Sequence, residues 1–99
     1  MILVRNVFRL KFGKAKEGVA ALKEGMAVSK KLGGTDPYRI LTDMTGPFYT
    51  VVLEITAPNL AAFEGAAPQL MGDKDWQANY QKIAPLVESG SREIFTLVE

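Results

Sequence analysis

Residues 48–56, Phe-Tyr-Thr-Val-Val-Leu-Glu-Ile-Thr, form the densest run of β-branched and aromatic residues in the chain. Such a run reads as a strand. Gly46-Pro47 sets a turn before it, and Pro58 follows two residues after it. Side chains alternate sides along a strand, so Tyr49, Val51, Leu53 and Ile55 share one large, apolar face. Phe48, Thr50, Val52, Glu54 and Thr56 make a mixed second face. The first face must be buried and the second at least partly covered, so the sheet holding this strand needs a cover on both sides. The chain itself supplies one cover, and a second copy of it is the expected source of the other.

The remaining elements fit around that strand. Residues 2–12 alternate: Ile2, Val4, Asn6, Phe8, Leu10 and Phe12 on one side, Leu3, Arg5, Val7, Arg9 and Lys11 on the other. That is a strand whose core face carries one polar residue, Asn6. Residues 14–32 read as a helix, because Ala15, Val19, Leu22 and Met26 fall on one stripe. Gly18, Gly25 and Ser29 flank the stripe. Each helical glycine costs roughly 1 kcal/mol relative to alanine, so close packing against a neighbour or room for a ligand should compensate. Lys16, Lys23 and Lys30 repeat every seven residues as a solvated face, and Gly33-Gly34 ends the helix.

A strand over residues 37–45 follows, joined to the central run by a tight Thr45-Gly46-Pro47 connection. Thr56 is the expected cap of a helix with Leu60, Phe63, Ala67 and Leu70 on its stripe, broken at Pro68. Residues 74–87 form a further helix with the stripe Trp76, Tyr80, Ile83 and Val87, kinked near Ala84 by Pro85. Ser89-Gly90 is then expected to turn the chain into a last strand over residues 92–98. The order β, α, β, β, broken α, β describes a ferredoxin-like split β-α-β sandwich, an α+β fold with both helical segments on one face of a four-stranded antiparallel sheet. It occupies residues 1–99 as one domain.

That architecture leaves a bare face carrying Leu3, Arg5, Val7, Arg9, Lys11, Phe48, Thr50, Val52 and Glu54, too apolar to stay fully wet. An isologous homodimer with the sheets face to face would bury it and pair Glu54 with Arg5 or Arg9. A sharper reading of the same charges is an anion site within the barrel. Arg39 and Asp43, on one face of the same strand, read as partners in cross-strand ion pairing. RNA binding on the bare face would call for the aromatic-basic signature of ferredoxin-like RNA-binding domains, which does not occur here. The net charge of +1 gives no pull toward nucleic acid or membrane.

The opening strand, the stretch Thr45 to Glu54, and the tail with Trp76, Tyr80, Pro85-Leu86-Val87 and Ser89 to Phe95 resemble the dimeric α+β barrel superfamily, which includes antibiotic-biosynthesis-monooxygenase-like and NIPSNAP-like domains. The resemblance covers nearly the whole chain and implies a homodimeric barrel. In oxygenase members an Asn on the first strand and a Trp from the helical layer line a cleft between sheet and helices. Asn6 is similar to that Asn and Trp76 to that Trp. Haem-degrading relatives need a His ligand, and this chain has no histidine.

No cysteine is present either, which removes thiol chemistry and thiolate metal sites, while the missing histidine removes imidazole bases and His–metal sites. No cofactor and no metal are expected. Two function classes fit. The first is a cofactor-independent monooxygenase-like enzyme acting on a small hydrophobic aromatic molecule. Asn6, Trp76 and Tyr80 are its catalytic candidates, and Phe8, Tyr49 and Phe63 are its substrate-binding candidates. The second is a non-catalytic dimeric module that binds a small apolar ligand or serves only in assembly. The two differ in one feature: an enzyme needs an open cleft beside Asn6, whereas a packing module fills that space with Phe8, Phe63 and Trp76. With no basic leader before an apolar core and no run long enough to span a bilayer, a cytoplasmic location is the expectation.

Overall fold

In the computed structural model, which describes residues 1–34 and 36–98, two strands with strong alternation take the two central places in the sheet. These are β1 (Ile2–Leu10) and β3 (Thr50–Ala57), antiparallel, with Val4 opposite Ile55 and Phe8 opposite Val51. β2 (Tyr38–Thr42) pairs with the free side of β3, and β4 (Val87–Thr96) with the free side of β1. The order β2-β3-β1-β4, all antiparallel, is the ferredoxin-like arrangement. The helical layer consists of α1 (Ala15–Lys31), α2 (Leu60–Gly65), α3 (Ala67–Met71) and α4 (Lys74–Ile83). A 3₁₀ turn over Ala84–Leu86, with Pro85 in its first turn, joins α4 to β4.

The even positions of β1 and odd positions of β3 face this layer. Val4 and Val51 are fully buried, and Leu10, Leu22 and Val51 form a core cluster that Phe8, Val19, Ile40 and Ile83 complete. The α1 glycines are close-packing residues. A Cβ on Gly18 would lie 2.5 Å from Leu10 Cδ1, and one on Gly25 would lie 2.5 Å from Asn79 Oδ1. Asn79 of α4 is 4% exposed and its Nδ2 donates to the Ala21 carbonyl at 2.9 Å, so the missing side chain at Gly25 is what lets α4 bond the α1 backbone.

Several boundaries depart from the sequence reading: β2 ends at Thr42 rather than at residue 45, α4 ends at Ile83 with Val87 already in β4, and four more differ for a local reason. β1 stops at Leu10, because Gly13 (φ +79°) turns the chain toward α1. β3 begins at Thr50, preceded by a longer loop in which Gly46 and Tyr49 both take positive φ. Phe48 therefore lies in that loop and not on the bare face. Asn59, not Thr56, caps α2, accepting from the Ala62 amide at 2.8 Å, while the Thr56 amide bonds Pro37 in the sheet. Ser89-Gly90 is no turn: β4 starts at Val87, and Gly90 sits opposite Phe8, where a Cβ would come within 3.1 Å of the phenyl ring. The glycine is a space for Phe8, a common role for glycine inside a strand.

On the side away from the helices the register builds rows across the sheet. Leu41, Val52 and Val7 form one row, and Leu3 and Phe95 are opposite each other in another. Between them runs Arg39–Glu54–Arg5–Glu93. Glu54, 7% exposed, accepts from Arg5 Nε at 3.0 Å through one oxygen and from Arg39 through the other, and Arg5 reaches Glu93 at 3.0 Å. The Glu54–Arg5 pair expected across a dimer is thus formed within one sheet. Arg39 does make a cross-strand ion pair, with Glu54. Asp43 instead closes the β2–β3 hairpin, its carboxylate accepting from the Thr50 amide at 3.0 Å.

Candidate functional site

Helices α2 and α3 are short and broken at Ala66, where Pro68 in the first turn of α3 restarts the helix. Short helices cannot seal the sheet as α1 does, and a cleft of about 830 Å³ opens beneath them. Ile55 and Tyr38 from the sheet line it, together with Met26 of α1, Phe63 of α2, Ala67, Leu70 and Met71 of α3, and Trp76 of α4. The volume lies within the range of small-molecule sites, and the lining is mainly apolar and aromatic, as such sites are. Lys30, Asp36 and Glu64 add charged groups to the lining.

Polar contacts fix the walls. Asp73 caps α4, its Oδ1 accepting from the Trp76 amide at 2.9 Å, which sets the residue at the start of the helix. Gln77 Nε2 donates to the Met71 carbonyl at 2.7 Å and ties α4 to α3. Gln69 Nε2 donates to the Leu32 carbonyl at 3.1 Å and ties α3 to the end of α1. The cleft is therefore held by the same segments that line it.

One guanidinium enters this apolar lining. Arg92 stands on the helix-facing side of β4, opposite Asn6 in the register. Its Nε donates to Asn6 Oδ1 at 2.7 Å, and its guanidinium carbon lies 5.3 Å from the centre of the Phe63 ring. Asn6 is buried, and its partner is this side chain. Burial of an amide without a partner costs ~1–3 kcal/mol, so the Arg92 bond accounts for the buried Asn6.

The six candidate residues are not gathered at one place. Phe63 and Trp76 line the cleft. Asn6 lies beside it, in contact through Arg92. Tyr80 stacks on Trp76, with ring centres 5.5 Å apart and planes 22° from parallel, but it is itself exposed and outside the lining. Phe8 packs against the core cluster. Tyr49 meets Phe12 edge-on at 4.9 Å at the opposite end of the sheet. There it lines a second, more open hollow of about 860 Å³ with Phe12, Phe48, Lys16 and Lys23. Arg92 and Met71 also belong to the cleft, with Met26 and Leu70, which the sequence places only on helical stripes. A charged residue with the same parity as Ile94 was the available signal for Arg92. Among the described residues no three acidic side chains gather to hold a metal ion, and no helix is long and apolar enough to cross a membrane.

The NIPSNAP family model matches residues 5–99. No curated protein matches the sequence significantly. Among solved structures, an uncharacterized NIPSNAP domain protein from Burkholderia xenovorans superimposes with a TM-score of 0.86 at 20% identity, covering 99% of this chain and 95% of that one. A NIPSNAP family protein from Agrobacterium tumefaciens gives 0.88 at 22% identity, over 99% and 93% of the two chains. A candidate antibiotic biosynthesis monooxygenase from Nitrosomonas europaea gives 0.77 at 14% identity over 100% of both. At these identities the structural likeness carries the fold, and the family match carries the family.

Proposed function

The chain belongs to the NIPSNAP family, and from that premise we propose that each protomer binds a small hydrophobic molecule with an aromatic part in the cleft beneath α2 and α3, and that two protomers pair through the bare face of the sheet. The observation that carries the binding reading is the cleft itself, open and walled by Phe63 and Trp76 rather than filled by them. Aromatic rings in such a wall bury large ligand area and stack on a planar guest.

The reading as a cofactor-independent oxygenase requires Asn6 to orient the substrate directly. Its carbonyl oxygen already accepts from Arg92, and Asn6 is absent from the cleft lining. That arrangement favours binding over oxygenation. Dioxygen uptake with electron-rich aromatics separates the two: turnover that Asn6→Ala abolishes would favour the enzyme.

Pairing through the bare face is supported by the row Leu41–Val52–Val7 and by Leu3 and Phe95. The charges between them are neutralised within the sheet, which lowers the desolvation penalty of covering them. An isologous contact of this kind is how most homodimers close.

Trp76 is the sole tryptophan, so its emission reports on the cleft alone. Titration with a neutral arylalkyl amide should change that emission saturably, and Phe63→Ala should weaken the binding about tenfold. Emission that stays constant for a range of aromatic probes would contradict the reading.

A further inference from the structure

We propose that the ligand of this cleft is a carboxylic acid, an apolar body whose carboxylate is held by the Arg92 guanidinium. The proposal rests on the cleft being the ligand site and adds the chemical class of its occupant.

Arg92 lies on the helix-facing side of the sheet near Val4, Phe8, Val51, Leu53 and Ile55, but it stands on edge strand β4 and is exposed where it lines the cleft. Elsewhere in this sheet two arginines meet a carboxylate: Arg5 and Arg39 both bond Glu54. Arg92 takes part in none of the ion pairs found among the described residues. Its one protein hydrogen bond there goes from Nε to the neutral oxygen of Asn6. A guanidinium has five N–H donors in a rigid fork, so the two terminal nitrogens keep theirs for another acceptor.

The neighbours fix the fork. Asn6 is buried and anchors Nε at 2.7 Å, while the Phe63 ring lies 5.3 Å from the guanidinium carbon. A cation over an aromatic face is attracted to it. With Nε taken, the terminal nitrogens form the end of the fork, the geometry that receives both oxygens of a carboxylate. The charge of the guest follows from the lining. Asp36 and Glu64 oppose Lys30 and Arg92, so the cleft as a whole attracts no multiply charged anion. One fork in an apolar cleft suits one monoanionic head on an apolar body. Asn6 is then a positioning residue, acting through Arg92.

The test compares phenylbutanoate with phenylbutanamide at neutral pH. The two share body and length and differ in charge at the head. Binding is read from Trp76 emission and by calorimetry in wild type, Arg92→Met and Asn6→Ala. We expect wild type to bind the carboxylate about tenfold more tightly than the amide, the scale of a hydrogen bond to a charged group. Arg92→Met should abolish that preference, bringing the affinities of the carboxylate and the amide together. Asn6→Ala should reduce the preference with amide affinity unchanged, whereas a purely structural role would lower both affinities together. Equal affinities in wild type, with Trp76 responding to both, would overturn the carboxylate and leave the cleft as a site. A preference that survives Arg92→Met would overturn Arg92 as the holder. Silence of Trp76 toward both probes would overturn the cleft reading and this proposal with it.

Discussion

Arg39 and Arg92 stand on opposite faces of the same sheet, each on an edge strand, and their surroundings differ in kind. Arg39 donates to Glu54, which Arg5 also bonds, so the bare face neutralises its own charges inside one chain. Arg92 is held by an uncharged amide and an aromatic ring, which orient the cation without neutralising it. Both arginines are exposed, so what separates them is the nature of the partner. A carboxylate partner closes the electrostatic account of the bare face, whereas an amide partner leaves the cleft with a directed, unneutralised charge.

The two faces also differ in how they are covered, and substitutions on each sharpen the contrast. Leu22→Ala removes a core side chain where α1 seals the sheet, and should destabilise the protein by about 3 kcal/mol, read from urea midpoints. Glu54→Ala leaves Arg5 and Arg39 facing each other without their shared carboxylate. Because both guanidinia remain partly solvated, the expected loss is about 2 kcal/mol, below that for a fully buried pair. A loss near zero would mean the network is only a surface feature and would erase the contrast with Arg92.

Gly25→Ala tests the close approach of α1 to α4. Alanine is the better helix former, yet its Cβ would fall 2.5 Å from Asn79 Oδ1 and push the amide off the Ala21 carbonyl. A net loss of about 1 kcal/mol is expected, and a gain would show that α4 can shift freely. The smallest effect on the protomer should come from Leu41→Asp on the bare face, roughly 0.5 kcal/mol or less in a side chain already exposed. Its effect on assembly should be large: light scattering is expected to give half the wild-type mass, and an unchanged mass would remove the bare face as the pairing surface.

Much of this contrast was legible from residue patterns. Alternation in β1 and β3 gave both faces, because period-2 patterning assigns a side to every residue once a strand is recognised. The glycines of α1 call for close packing or room for a ligand, because each lowers helix stability and something must compensate. What pattern could not supply was register. Ser89-Gly90 looks like a turn in isolation, and only its position opposite Phe8 makes Gly90 a strand residue. Arg92 is one of twelve cations in the sequence, and pairing it with Asn6 requires knowing how β4 slides along β1. Tyr80 shares the Trp76 stripe, but the i, i+4 spacing that stacks the two rings does not bring both into the cleft. Phe8 shares a sheet face with Asn6, and a face is longer than a site; Tyr49, alternating with Val51 in the sequence, falls in the loop before β3.

The division of labour between the two faces is tested most directly by chemical-shift mapping with a small arylalkyl probe. The account predicts that the Trp76 indole, the Met26 and Met71 methyls and the Arg92 side chain shift on titration, while Leu41, Val52 and Phe95 stay still. Shifts confined to Leu41, Val52 and Phe95, with Trp76 unmoved, would contradict it and make the bare face the ligand surface.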